Sequence, residues 1–322
     1  MSSRSQSTVL IGAKLPERLI TLLNERYEVF GPLGRPFTQQ VNTLPRDIAE
    51  RVRALVTMGT VDTTREALAA LPAVGIVCCL GSGYEGVDFD AARERGIAVT
   101  HSPRANSSTV ADLALGLLIA SVRNMFAANA YLRSGDWENK GRMRMTPRGL
   151  TGRRMGVYGL GAIGEKIALR ASACEMEVGY HNRNRRDDVP YPYFGSLRDL
   201  TQWADVLMIA VRAGPGNRHA VDAGILAALG ADGHVINISR GSVIDEAALI
   251  HALEQRTIAG AGLDVYEKEP VVPEVLRKMT NVALTPHIGG DAYEAYYAMS
   301  DMVITNLEAF FSGRPVLNPV PM

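Results

Sequence analysis

Short apolar runs recur along this 322-residue chain, and between them lie stretches whose apolar positions return every three or four residues. The first kind reads as buried strand, the second as amphipathic helix. In the first hundred residues the runs at 8–11, 54–57, 74–80 and 98–100 are strand candidates, with helices at 16–25, 63–70 and 90–95. Pro16 suits the first turn of its helix, where a missing N–H costs nothing. After a long helix over 108–133 the alternation restarts. Strands are expected at 154–158, 177–180, 206–211, 234–238, 258–264 and 282–285, with a helix at 245–254 that Asp245 can cap. A last helix, 292–311, runs out at Gly313 with Pro315 beyond it. Such alternation implies parallel sheets covered by helices on both faces.

Two such arrays imply an α/β protein with two doubly wound parallel-sheet domains and a cleft between them. The first is discontinuous, residues 1–101 closed by the returning segment 288–322. The second spans 102–287. The helix at 108–133 has a wide apolar side, including Val110, Leu113, Leu117 and Leu118, which suits burial against more than one surface and suggests a homodimer contact. Charge narrows the partners: 34 basic and 34 acidic side chains balance, so no net field draws the chain to nucleic acid or to an acidic membrane. The best apolar run, 110–122, is too short to span a bilayer and contains Asp112. Residues 1–7 are polar, without the apolar stretch of a leader. Cys78, Cys79 and Cys174 stand at no metal-binding spacing and suit a reducing compartment. The expectation is a cytoplasmic protein with no metal.

One stretch carries chemistry by itself. Gly159-Leu160-Gly161-Ala162-Ile163-Gly164 follows the strand at 154–158 and opens a helix, the context of a turn that holds a dinucleotide pyrophosphate. Gly159 makes the tight turn, Gly161 lets phosphate approach the backbone, and Gly164 lets helix and strand pack. The helix N-terminus adds free N–H groups and partial positive charge. About 20 residues on, a carboxylate would bind the ribose 2′-hydroxyl of NAD. Here the strand ends in His181-Asn182-Arg183-Asn184-Arg185-Arg186, with no carboxylate before Asp187. Asn182 takes the acidic position, and Arg183 beside it can bind a 2′-phosphate. The expected cofactor is NADP(H), with NAD(H) possible.

Three polar residues follow apolar strands in the second half: Arg240, Glu269 and His287. Alone, each reads as an ordinary surface or loop residue. Together they supply what a carbonyl reduction needs. A histidine can donate a proton near neutral pH, a neighbouring carboxylate favours its charged form, and a guanidinium can grip an α-keto acid by two oxygens. In the first half, Gly81-Ser82-Gly83 sits where an open α/β sheet binds ligands. Its amides could hold a carboxylate, though a plain flexible loop reads equally well.

The glycine turn, Ile238-Ser239-Arg240-Gly241, Ala261-Gly262-Leu263-Asp264-Val265 and Thr285-Pro286-His287 match, in order, signatures of the D-isomer-specific 2-hydroxyacid dehydrogenases, and the chain resembles that family over nearly its whole length. Val110-Ala111-Asp112-Leu113-Ala114, Asp245-Glu246 and Asn318-Pro319-Val320 look most like its glyoxylate/hydroxypyruvate and hydroxyphenylpyruvate reductases. The resemblance implies two Rossmann/flavodoxin-like domains, the first for substrate and the second for NAD(P), and reduction of a small 2-keto acid to the D-2-hydroxy acid. It implies that Arg240 binds the substrate carboxylate, that His287 protonates the keto oxygen, and that Glu269, directly before Pro270, is the partner carboxylate rather than Glu267. Ser82 and Gly83 match the loop that binds the substrate carboxylate. Val211, Arg212, Ile238, Ser239, Arg240, Asp264 and Gly289 match positions along the cofactor, Asp264 near the nicotinamide carboxamide.

Two segments depart from the family pattern. Arg212-Ala213-Gly214-Pro215-Gly216-Asn217 replaces a Pro- and Thr-containing run on the adenosine side, and His101-Ser102-Pro103-Arg104 replaces a more usual Asn-Thr-Pro-Gly. Other readings stay open: a hydroxyphenylpyruvate or other 2-keto acid reductase, a formate- or phosphite-type dehydrogenase, or a non-catalytic NAD(P)-sensing binding protein. The formate type carries Gln where Glu269 stands. A corepressor on this fold would keep similar residues.

Overall fold

The computed structural model describes residues 7–144, 146 and 148–320. Residues 1–6, which carry most of the polar start that argues against a leader, lie outside the described residues. The chain divides into two compact units, Met1–Asn106 with Asp291–Met322, and Ser107–Gly290.

In the first unit β1 (Thr8–Ile11), β2 (Glu28–Phe30), β3 (Val52–Met58), β4 (Ile76–Leu80) and β5 (Ala98–Thr100) form one parallel sheet, ordered β2-β1-β3-β4-β5. That is the flavodoxin-like, doubly wound order. β4 is buried along its length, and burial pushes the Cys78 thiol up to about 12, as for an inert core cysteine. The C-terminal helix Tyr293–Phe311 packs against β4 and against the helix Glu17–Arg26, burying Ala295, Met299, Val303 and Leu307. The returning segment thereby completes this core. β2 was not expected: its three residues are only half-buried and form no apolar run.

In the second unit β6 (Arg154–Tyr158), β7 (Glu177–His181), β8 (Val206–Ile209), β9 (His234–Asn237), β10 (Gly260–Leu263) and β11 (Val282–Leu284) are all parallel, ordered β11-β10-β9-β8-β6-β7. Outside β7, Tyr193 pairs with Tyr180 in a single parallel bridge. That bridge stands where a third strand would lie. Counting it gives the 3-2-1-4-5-6 order of a dinucleotide-binding sheet, with one strand added at the far edge. Pro190 and Pro192 explain the shrinkage, because each removes a ladder donor. The order reverses between β6 and β8, so their carboxyl ends form the switch-point crevice.

The expected helix over 108–133 is corrected to two, Ser107–Val122 and Met125–Arg133, bent by 66°. Asn124 sits at the break with φ +52, a left-handed conformation that asparagine tolerates better than most residues. The first helix buries Val110, Ala114, Leu117 and Leu118 against β9, β10 and β11, whereas the second buries nothing. Among the described residues no single helix is long and apolar enough to cross a membrane.

Candidate active site

β6 delivers the glycine turn. Gly159 has φ +102, and a Cβ there would stand 2.5 Å from backbone atoms of Val211, so only glycine lets the turn close on the segment that leaves β8. A Cβ on Gly164 would stand 2.2 Å from the Gly159 oxygen, whereas one on Gly161 would meet nothing within 4 Å. Open space at the middle glycine and crowding at the outer two is the arrangement a bound pyrophosphate requires. The helix Ala162–Ala173 begins with no side-chain cap, leaving its N-terminus to an anion. Leu160, Ala162 and Ile163 complete this turn, and the site fits a dinucleotide.

Asn182 follows β7, and its Oδ1 accepts from the Leu160 N–H at 2.7 Å. The position therefore braces the turn and carries no charge. Arg183 and Asn184 are exposed, and Arg183 makes no ion pair among the described residues. The neighbouring arginines are engaged. Arg185 pairs with Asp187 at 3.2 Å. Arg186 pairs with Asp188 and, at 2.9 Å, with Glu165. Of the arginines in this run, Arg183 alone makes no ion pair among the described residues.

The other polar residues line up at the carboxyl ends of adjacent strands. Arg240 follows β9, Asp264 and Glu269 follow β10, and His287 follows β11. Glu269 Oε2 bonds His287 Nδ1 at 2.7 Å, and its Oε1 accepts from the Tyr266 N–H at 3.1 Å. The side chains are 34% and 39% exposed, so the pair is shielded yet reachable. The Glu269 hydrogen bond raises the His287 pKa above its ordinary value against the opposing effect of burial, with further contributions from the Glu269, Arg240 and Asp264 charges. Burial pushes Glu269 up, but hydrogen bonds from His287 and the Tyr266 amide, with the His287 and Arg240 charges, leave it below the ordinary carboxylate range. Each partner thus favours the charged form of the other.

Asp264 has a task that sequence alone did not reveal. It is buried, and its two oxygens accept from the Thr285 hydroxyl (2.6 Å), the Ile288 N–H and the Gly289 N–H (both 2.9 Å). These bonds frame the loop in which His287 adopts φ +55. The loop after β8 starts at Val211 and Arg212. Ser239, buried beside Ile238, donates from its hydroxyl to the Val211 carbonyl. Ser82 and Gly83 belong to the first unit, after β4. There His101 Nδ1 contacts the Ser82 carbonyl at 3.1 Å, and Gly59 packs on the Gly83 backbone. A second carboxylate cluster escaped sequence reasoning: Glu267 with Arg218 and His219. Among the described residues no group of His, Cys, Asp and Glu is arranged to hold a metal ion.

The family model for the NAD binding domain of the D-isomer specific 2-hydroxyacid dehydrogenases matches residues 115–289. A glyoxylate/hydroxypyruvate reductase of Arabidopsis thaliana is 40% identical over 84% of this chain and 85% of its own length. The hydroxyphenylpyruvate reductase of Plectranthus scutellarioides is 37% identical over 92% and 94%. An NADPH-dependent glyoxylate/hydroxypyruvate reductase from Sinorhizobium meliloti, solved with NADP and malonate, superposes with a TM-score of 0.92 at 38% identity, covering 98% of this chain and 97% of that one.

Proposed function

The chain belongs to the D-isomer specific 2-hydroxyacid dehydrogenase family, and we propose that within it this protein reduces a small 2-keto acid of the glyoxylate or hydroxypyruvate type to the D-2-hydroxy acid, using NADPH in preference to NADH. The observation that carries the reading is the Glu269–His287 pair at 2.7 Å, on the sheet edge that also bears Arg240 and the glycine turn. The names of its relatives support the substrate class.

When bound, the nicotinamide supplies hydride to the keto carbon. Residues 159–164 hold the pyrophosphate, and Arg183 binds the 2′-phosphate. Glu269 occupies His287 Nδ1, so the proton that reaches the keto oxygen comes from Nε2. As that proton leaves, the negative Glu269 stabilises the charged ring up to the moment of transfer and fixes its plane. The Arg240 guanidinium grips the substrate carboxylate and draws charge toward the developing alkoxide. In this reading Ser82 and Gly83 offer backbone N–H groups to the same carboxylate, the first unit serves the substrate and the second the cofactor.

The test is turnover of glyoxylate, hydroxypyruvate, pyruvate and 4-hydroxyphenylpyruvate with NADPH and with NADH. No oxidation of NADPH with any of the four refutes the reading, and a strong preference for 4-hydroxyphenylpyruvate moves it to the aromatic reductases. His287→Ala should lose roughly 10²–10⁴-fold in kcat. The protein is proposed to act in the cytoplasm as a homodimer. The exposed Met125, Phe126, Leu132 and Trp137 support a second copy, and a monomer mass in light scattering would refute it.

A further inference from the structure

Glu267 is a carboxylate for which the proposed reaction has no use. It stands two residues before Glu269, and its Oε1 accepts from Arg218 at 2.7 Å and from His219 Nε2 at 2.9 Å. The hydrogen bonds from His219 and Arg218 hold its carboxyl below the ordinary range. Its own N–H reaches the Glu246 carboxylate at 3.3 Å. His219 keeps φ +50, a region few L-residues occupy, while its ring meets Glu267.

Both donors end the segment that leaves β8, and that segment begins against the glycine turn at Val211. Between the two ends it is folded on itself. Asn217 donates to the Arg212 carbonyl at 2.6 Å and accepts from the Gly214 N–H at 2.8 Å. The His219 N–H is tied to the Ser242 carbonyl at 2.8 Å. On the other side of Glu267 the turn passes through Tyr266, whose N–H holds Glu269, which holds His287. An unbroken series of contacts therefore joins the glycine turn to the histidine, and Glu267 makes the ionic link between the segment that leaves β8 and the turn that bears Glu269.

We propose that Glu267, clasped by Arg218 and His219, is a positioning residue for the Glu269–His287 pair and couples that pair to the segment beside the glycine turn, so that a dinucleotide seated there favours the working position of the proton donor. The inference rests on His287 being that donor.

The experiment uses the full chain with NADPH and glyoxylate. Glu267→Ala should lower kcat on the order of tenfold to a hundredfold, the scale of a misplaced catalytic group. It should move the falling alkaline limb of kcat to lower pH, because Glu269 loosens from His287 while Arg240 and Asp264, the other charges facing the ring, remain. It should also weaken NADPH binding measured by fluorescence without keto acid. Glu267→Gln, which keeps an acceptor oxygen, should recover most of each loss. Should the alanine variant not fold, Arg218→Ala, at an exposed position, should shift the same quantities in the same direction by less. An unmoved alkaline limb together with unchanged NADPH affinity in a folded variant overturns the clasp, and movement of only one of the two overturns the coupling. If the wild-type protein reduces no 2-keto acid, the proposed function fails by itself. The clasp is then decided by the His287 ring titration in NMR and by the NADPH affinity, where no effect of Glu267→Ala on either overturns it.

Discussion

Alanine in place of Gly241 tests how tightly the two halves of the proposed active site are fitted together. Gly241 directly follows Arg240 and is buried against the turn that bears Glu269. A Cβ there would lie 2.0 Å from the Tyr266 carbonyl carbon, 2.1 Å from its oxygen and 2.3 Å from the Glu267 nitrogen, where ordinary contact begins near 3.4 Å. The obstacles are backbone atoms, so no rotamer change relieves them, and one segment must yield by roughly 1 Å or more, a misplacement that can cost ~10²-fold in rate. Each segment is tied to a functional residue. On one side the Arg240 carbonyl accepts from Asn237 at 3.0 Å. On the other, Tyr266 donates its N–H to Glu269 and its hydroxyl to the Thr285 carbonyl at 2.9 Å. Relief therefore moves Arg240 or Glu269 relative to His287. We expect kcat/KM for the keto acid to fall about 100-fold at saturating NADPH, with about 1–3 kcal/mol lost in urea unfolding from overpacking. Gly195→Ala, whose Cβ meets nothing within 4 Å, is the control and should behave as wild type. A folded Gly241→Ala enzyme within about threefold of wild-type kcat/KM would refute the argument that these two backbones hold the catalytic geometry.

Three other outcomes follow from the same geometry. Because the His287 pKa is raised, the alkaline fall of kcat should lie at higher pH than an ordinary histidine would give; Glu269→Gln should move that fall to lower pH, and an unmoved limb would exclude the pair as its origin. Arg183→Ala should raise KM for NADPH far more than for NADH, and equal effects would show that this side chain does not read the 2′-phosphate. Burial lowers the His234 pKa to about 4, so the unfolded chain binds the extra proton first as pH drops below the ordinary histidine value of 6.5. Stability should then decline toward pH 4 by up to ~3 kcal/mol, and His234→Asn should flatten the decline in urea titrations at several pH values.

The sheets were legible because a fully buried parallel strand writes itself as a short apolar run, and β1, β5 and β6 lie where those runs lie. What stayed hidden has no such signal. Apolar periodicity passes through Asn124 without interruption, since it reports which faces are buried and not where one residue turns left-handed. The bridge at Tyr193 was equally invisible, because a strand reduced to one pair between prolines leaves no run to read.

Arg240 and His287 could be found from sequence because each is the first ionisable residue in a loop leaving a buried strand, and topology brings such loops to one edge, whereas Glu269 comes after Asp264, Glu267 and Lys268 and was marked only by Pro270 behind it. Their neighbours obey no local rule. Glu267 and Glu269 sit in the same turn, and nothing local tells what each meets across space, one Arg218 and His219, the other His287. Asp264 reads as a polar strand end like the others, yet three donors of the His287 loop surround it. The sequence put Arg183 first by its place beside Asn182, but it could not show that Glu165 and Asp188 already claim Arg186. The residues proposed to touch substrate are therefore fixed by where strands end, whereas those that hold them in place depend on pairings between loops far apart in the chain. A substitution in the second group can disable the site while every recognisable motif stays intact, as the Gly241 and Glu267 variants are designed to show.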